Sequence, residues 1–563
     1  MENKQTEKTQ AELYREERKK RMESSAKKNA AKSPKAQKAK KIVSKVISIV
    51  LAVTIVVISL VGTLNFFGIP QKVLTAAKIG DVKVSTAKYN YYYMDVYLDI
   101  ANQSKQYDSQ YGAGAGVMYT GYDSTKSPME QEYTQGTLDE FKDSGKTPTW
   151  ADAIRIKALD YVQSFVAYSK LARDAGIVLT DAEKKSIDDQ IEQVRKKAAD
   201  SDFAIDRYLI KLYGKGVTEK LLREVMEERT LASNYAKQKQ EELSNNVTDV
   251  IIEEEYSKNI QDYANLSLSI FVISPEEAKL PTNATEDEKK AATAENLAKA
   301  KAKAEGYVAK ITSPETFLKQ AKDYDAKATS ESIAANDVLG SEIKSTFGDD
   351  AVKWCFDANR KVGDVTYVEG NGKIAVIYMN VLPHKDMVKP VNVRHILFQF
   401  PQQDDQGKQL PALTPAQKLE YKNKAQAVYD EYLKNPTEEN FAALATKNTE
   451  DTGSKEKGGL YESVAVGDMV AQFNDWCFDP IRKVGDTGIV ETQYGYHIMY
   501  YVGNDNPETW KTSVKQAVSK QKYDEFDKEI LKGDTYAIHK SNAVINWSSK
   551  QLQSFIMKQY IKY

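Results

Sequence analysis

A chain of 563 residues is too long for one hydrophobic core and implies several domains. Hydrophobic residues at 41% and charged ones at 28% exclude a chain without packed cores. A net charge of -1 hides an uneven distribution, and two cysteines exclude a CxxC pair or a zinc ligand set.

Residues 1–45 hold 15 Lys/Arg against 6 Asp/Glu, so a basic head precedes an acidic body. Such a head points to a membrane or a nucleic acid. Residues 46–67 (VISIVLAVTIVVISLVGTLNFF) decide between them, being 22 residues without a charge. As a helix that length crosses about 30 Å of hydrocarbon. Lys40, Lys41 and Lys45 crowd its start. The positive-inside rule then predicts a cytoplasmic, disordered tail at 1–45 and an extracytoplasmic body. The apolar run exceeds a signal-peptide core of about 7–15 residues, so an uncleaved single-pass anchor is expected. No nucleic-acid partner is expected.

Beyond the span, Ile79, Val82 and Val84 flank a Gly80-Asp81 turn and predict a short hairpin. A tyrosine-rich helix is expected from about Ser85. Residues 104–148 are rich in Tyr, Gly, Ser and Asp, lack helical periodicity, and predict a long loop. That loop is either a plain surface insertion or an adhesive tyrosine face. From Trp150, the residues Ile154, Ala158, Val162, Phe165 and Leu171 recur at helical spacing until Gly176. Thr180 and Glu183 have the capping-box spacing for another helix. Residues 203–213, 218–243 and 248–259 predict further helices.

An internal repeat follows. Residues 354–370 (WCFDANRKVGDVTYVEG) and 476–492 (WCFDPIRKVGDTGIVET) agree at 11 of 17 positions, 122 residues apart. Ser313-Pro314 and Pro436-Thr437 each precede a helix that includes a phenylalanine, Phe317 or Phe441. Residues 268–273 (LSIFVI) parallel 393–398 (VRHILF). The copies differ in polar residues: Ile270 stands for His395, Ala375 for His497 and Ala351 for Phe473. Cys355 and Cys477 fall at equivalent places, which suits small buried apolar residues better than a disulfide. After Gly503 come a polar helical segment at 508–531 and a last helix to Tyr563.

Four motifs stand in order in the second copy: the strand 391–398 (VNVRHILF), then FAALATKNTEDTGSKEKGGL, GDMVAQFNDWCF, and TQYGYHI. Over 391–503 they resemble the parvulin-type, PpiC-like peptidyl-prolyl isomerases. The helices upstream resemble the SurA/PrsA chaperone region. The expected class is α+β: one transmembrane helix (46–67), a helical SurA/PrsA-like chaperone lobe, and two tandem parvulin-like domains of antiparallel sheet with surrounding helices. The lobe covers 77–262 and is completed by 505–563. A degenerate parvulin-like domain covers 263–385, and the parvulin domain proper covers 386–504.

The resemblance implies a site. His395 and His497 are expected as a hydrogen-bonded pair, with Thr492 bonding the histidines and Asp451 shaping the field around the substrate carbonyl. Met469, Phe473 and Phe478 are expected to form a slot for the proline ring, the first two on one side of a helical turn. Gly458-Gly459 predicts a turn needing positive φ. GGLYES stands where parvulins often read GGDLG, so the loop at the entrance differs. No cofactor or metal is expected. The implied function is a membrane-anchored, extracytoplasmic foldase that isomerises X–Pro bonds in exported polypeptides and acts as a chaperone. The alternative is a holdase using its parvulin modules as scaffold. The oligomeric state, a homodimer among the options, stays open.

Overall fold

The computed structural model describes residues 9–31, 34–277, 281, 284–402 and 410–561; parts of the basic tail (1–8 and 32–33) lie outside them. The described chain combines helices with antiparallel sheets and divides into two compact units, 1–235 with 530–563, and 236–529.

In the first unit the tail, expected without structure, is helical over Gln10–Ala31. Lysine, arginine, glutamate and alanine are good helix formers, and Arg21 pairs with Glu17 one turn back. Helix Pro34–Phe66 carries the apolar run, and within it Lys45–Asn65 is long and apolar enough to cross a membrane. The hairpin forms as β1 (Thr75–Ile79) and β2 (Val82–Ser85). Helix Thr86–Tyr111 starts where Ser85 accepts the Lys88 N–H. Tyr89, Tyr93 and Tyr97 recur every four residues and are fully buried, as is Tyr92. A helix buried this widely needs its hydroxyls partnered, and Ser549 and Gln553 supply partners for Tyr89 and Tyr93.

This helix corrects the loop expected over 104–148, because its last two turns run to Tyr111 and stop at Gly112. Ser104 is buried there and donates to the Tyr122 carbonyl, and Tyr107 and Tyr111 stack one turn apart. Periodicity read from apolar residues alone misses a turn held by tyrosines and a buried serine. The rest of that stretch is short: a helix at Ala115–Thr120 and two single turns. Helices Trp150–Asp174 and Asp181–Asp200 both open on capping boxes, Thr149 with Asp152 and Thr180 with Glu183.

The second unit holds two four-stranded antiparallel sheets of the same order. One is β4-β3-β6-β5, from β3 (Asn265–Ile273), β4 (Ala334–Leu339), β5 (Val365–Gly370) and β6 (Lys373–His384). The other is β8-β7-β10-β9, from β7 (Val391–Gln399), β8 (Leu460–Val464), β9 (Thr487–Thr492) and β10 (Gly495–Gly503). Their registers correspond. Leu397 pairs with His497 and His395 with Met499, while Val272 pairs with Ala375 and Ile270 with Ile377. Ile270 and Ala375 therefore occupy the places of the two histidines. Apolar side chains, among them Leu268, Ala351, Cys355 and Met379, pack around them. Cys355 and Cys477 are both buried free thiols.

The boundary between the units differs from the expected lobe of 77–262 plus 505–563. The division falls inside the 27-residue helix Glu219–Asn245. Trp510, Val514 and Val518 pack against Val247, Ile252 and Tyr256 in the second unit, with Lys385 Nζ 3.7 Å from the centre of the Trp510 ring. Only 530–563 joins the first unit, where β11 (Ile538–Lys540) pairs with β1 and helix Asn542–Ile556 packs into its core.

Candidate active site

The period of two along a strand places the histidines. On β7, Val391, Val393, His395 and Leu397 share one face, and on β10 His497, Met499 and Tyr501 share the same one. The opposite face carries Ile396, Phe398, Tyr496, Ile498 and Tyr500 into a core with Phe441 and Leu444. Since His497 faces Leu397 across the pair, it is the diagonal neighbour of His395, within reach of a ring. The rings stack with centroids 5.3 Å apart, and Nδ1 of one lies 3.1 Å from Nδ1 of the other.

Past helix Glu438–Asn448 the chain turns back along the stretch of β7 that β8 leaves unpaired, beyond Arg394, and pins itself there. Thr449 Oγ1 accepts the Leu397 N–H, Glu450 N–H donates to the Leu397 carbonyl, and the Glu450 carboxylate accepts from Gln399 N–H. Asp451 then meets His395 Nε2 at 2.9 Å. Ser454 and Tyr461 hydroxyls donate to the same carboxylate oxygen. The turn closes through Gly458 and Gly459, with φ of 64° and 75°. Glycine is required at 459 because a Cβ would lie 2.3 Å from the His395 carbonyl oxygen. The Gly459 carbonyl accepts the His395 N–H at 2.8 Å.

These contacts order the protons. Asp451 is ionised, since hydrogen bonds from His395, Ser454 and Tyr461 hold its carboxyl well below the usual range against the cost of burial. As an acceptor only, it calls for a hydrogen on His395 Nε2. Burial, then the neighbouring His395, lowers the His497 pKa to about 3, so His497 is neutral. Thr492 Oγ1 lies 2.9 Å from His497 Nε2 but 3.5 Å from the Gly495 carbonyl, so its hydroxyl donates to the ring. His497 therefore carries its hydrogen on Nδ1 and donates to His395 Nδ1. The result is a one-way chain from Thr492 through His497 and His395 to Asp451. Tyr461 stacks on His395 at 4.9 Å, and burial beside the carboxylate pushes its hydroxyl up to about 12, which keeps it a donor.

A cavity of about 450 Å³ opens beside the pair, with Leu397, Met469, Val470 and Phe473 as its apolar wall. Phe473, on helix Ala471–Cys477, sets its ring edge-on to both histidines, at 5.6 Å and 5.4 Å. Exposed Gln399, Glu450, Thr452, Asp468 and Tyr494 rim the mouth. His395, His497, Asp451, Met469 and Phe473 thus converge on one cavity, and Thr492 stands behind His497.

Two details differ from expectation. Met469 precedes the helix instead of sharing a turn of it with Phe473, though both line the cavity. Phe478 lies outside the lining, half-buried against the apolar cluster that holds Phe473, Val393 and Tyr501. It follows Phe473 by five positions, about 140° further around a helix, and so turns away. Sequence reasoning missed Ser454, Tyr461 and Leu397. Leu397 was legible by alternation from His395. Tyr461 stands in the departure GGLYES, and only its contact with Asp451 reveals its part.

Residues 378–503 match the family model of the PPIC-type PPIase domain. Foldase protein PrsA 4 of Bacillus cereus is 30% identical over 186 residues, covering 32% of this chain and 64% of that protein. Foldase protein PrsA 3 of the same species is 45% identical over 62 residues, covering 11% and 21%. The chain spans less than two thirds of either relative's length. The crystal structure of PrsA from Bacillus subtilis has 15% identity over 73% of this chain and 90% of that one, with a TM-score of 0.22 that carries no weight for the fold. The chain therefore carries a PPIC-type PPIase domain, of the parvulin type, and is similar to PrsA foldases.

Proposed function

We propose that this protein is a membrane-anchored foldase that isomerises X–Pro bonds in exported polypeptides. The observation that carries the reading is the hydrogen-bonded histidine pair beside an apolar notch open to solvent. Rotation about an amide faces a barrier of about 18–20 kcal/mol, and each tenfold acceleration needs about 1.4 kcal/mol of preference for the twisted state. Met469, Phe473 and Leu397 seat the pyrrolidine ring. Twisting removes the negative charge that resonance places on the carbonyl oxygen. A carboxylate fixed beside that oxygen therefore disfavours the planar form more than the twisted one. Asp451 is suited to this because three donors keep it ionised and in place. Thr492 and the histidines act on it through the chain of hydrogen bonds, as positioning groups.

The same reading makes 263–385 a silent parvulin-like module, since Ile270 and Ala375 replace the histidines, and makes the first unit the chaperone lobe. Residues 45–65 anchor the protein, with the basic head cytoplasmic and the units outside.

A proline-peptide isomerisation assay on the full chain tests the activity. Wild type is expected to accelerate the reaction, and His497→Ala, with unchanged circular dichroism, to lose the acceleration. Equal, uncatalysed rates in both refute the enzyme and leave the holdase reading.

A further inference from the structure

The first unit holds a second cavity, of about 510 Å³, remote in sequence from the PPIase domain. Its position is set by the apolar helix. Asn65, the last residue of the membrane-length stretch, lines it. The helix end is fixed to the lobe. Lys215 Nζ donates to the Asn65 carbonyl at 3.0 Å, and Gly68 meets Gly216 so closely that a Cβ would lie 2.7 Å from the Gly216 nitrogen.

The lining combines an apolar floor, including Trp547 and Phe555, with three cations, Lys215, Lys550 and Lys558. No carboxylate lines it, and none of the three lysines has an ion-pair partner among the described residues. The side-chain oxygen of Asn65 is buried without a hydrogen-bond partner. Just beyond the helix in sequence, Ile69, Val73 and Leu74 are apolar and 37%, 70% and 39% exposed, in the segment where the chain would leave the bilayer. Tryptophan and lysine together with exposed aliphatics is the composition of a membrane–water interface.

We propose that this cavity binds the headgroup of an anionic glycerophospholipid from the leaflet that the helix leaves. The lysines take the phosphate, Asn65 accepts from a headgroup hydroxyl, and Trp547 and Phe555 cover the glycerol and upper acyl carbons. Charge selects the class of lipid, because three unpaired cations favour a net negative headgroup over a zwitterionic one. Seating the lobe on the lipid holds it against the membrane surface. The inference rests on residues 45–65 spanning the membrane.

The test uses the full chain purified in detergent with equal amounts of phosphatidylglycerol and phosphatidylcholine. Native mass spectrometry is expected to show phosphatidylglycerol retained about tenfold over phosphatidylcholine. K215Q/K550Q/K558Q is expected to abolish that preference while keeping wild-type proline isomerisation, which also reports that the chain is folded. Equal retention of the two lipids by wild type, or an undiminished preference in the triple variant, overturns the site. Binding of glycerol 1-phosphate without retention of phospholipid overturns the lipid as occupant. Flotation with phosphatidylcholine vesicles tests the span separately. A chain that floats but shows no lipid preference refutes the site alone, and one that does not float refutes both.

Discussion

Acidification from pH 7.5 to 5.0 is expected to leave His497 uncharged. An ordinary imidazole, with a pKa near 6.5, is about 97% protonated at pH 5. His497, lowered to about 3 by burial and its neighbour, is about 1% protonated there. The unfolded chain takes up a proton that the folded chain refuses, so the folded state loses stability as pH falls below 6.5. At about 1.4 kcal/mol per pH unit the loss is about 2 kcal/mol at pH 5 and about 4 kcal/mol near pH 3. Asp451 acts in a separate window. Its depressed carboxyl contributes fully above about 3.8 and loses its contribution only below that value. The chain has four histidines, so imidazole 15N spectra of the labelled full chain can resolve the pair, with His497→Gln as the assignment control. Two results are expected for His497: a hydrogen on Nδ1 at pH 7.5, and no protonation down to pH 5. A hydrogen on Nε2, or titration near 6.5, refutes the proton order derived for Thr492, His497, His395 and Asp451.

Thr492→Val keeps the shape but leaves the buried Nε2 of His497 without its donor, at a cost of about 1–3 kcal/mol in urea unfolding; an unchanged midpoint refutes this. Gly459→Ala forces a side chain onto positive φ and against the His395 carbonyl, so Tm and isomerisation are expected to fall together, with backbone strain alone costing about 1–3 kcal/mol. Asp451→Asn is expected to stay folded at pH 7 and lose about tenfold in isomerisation, or ~1.4 kcal/mol; a rate within about twofold of wild type removes the field effect from the mechanism. Phe473→Ala empties the wall beside both histidines and is expected to cost about 3–5 kcal/mol in stability and to weaken proline-peptide binding measured by titration.

Much of the site was legible because it follows local rules. Alternation places His395 with Leu397 along VNVRHILF and His497 with Met499 and Tyr501 along GYHIMYY, and the pairing register puts both sets on the same face. The glycine pair announces a turn of positive φ, and Thr180 with Glu183 announces a helix start. The repeat marks Ala375, 122 residues before His497, and the parallel strands 268–273 and 393–398 mark Ile270, 125 residues before His395, as the apolar counterparts of the histidines, and the strand registers pair them accordingly.

What tertiary structure alone decided depends on contacts between residues far apart in the chain. Ser454 and Tyr461 are an ordinary serine and tyrosine until the edge of β7 pulls 449–459 across it and brings both hydroxyls to Asp451, 56 residues from His395. Phe478 stands in the same motif as Phe473, yet its place five positions on along one short helix leaves it out of the cavity lining. The unit boundary was likewise hidden, because Trp510 could serve either unit until Tyr256 met it. Periodicity is written into each segment by backbone geometry, whereas which segments meet is settled by the free energy of the whole fold.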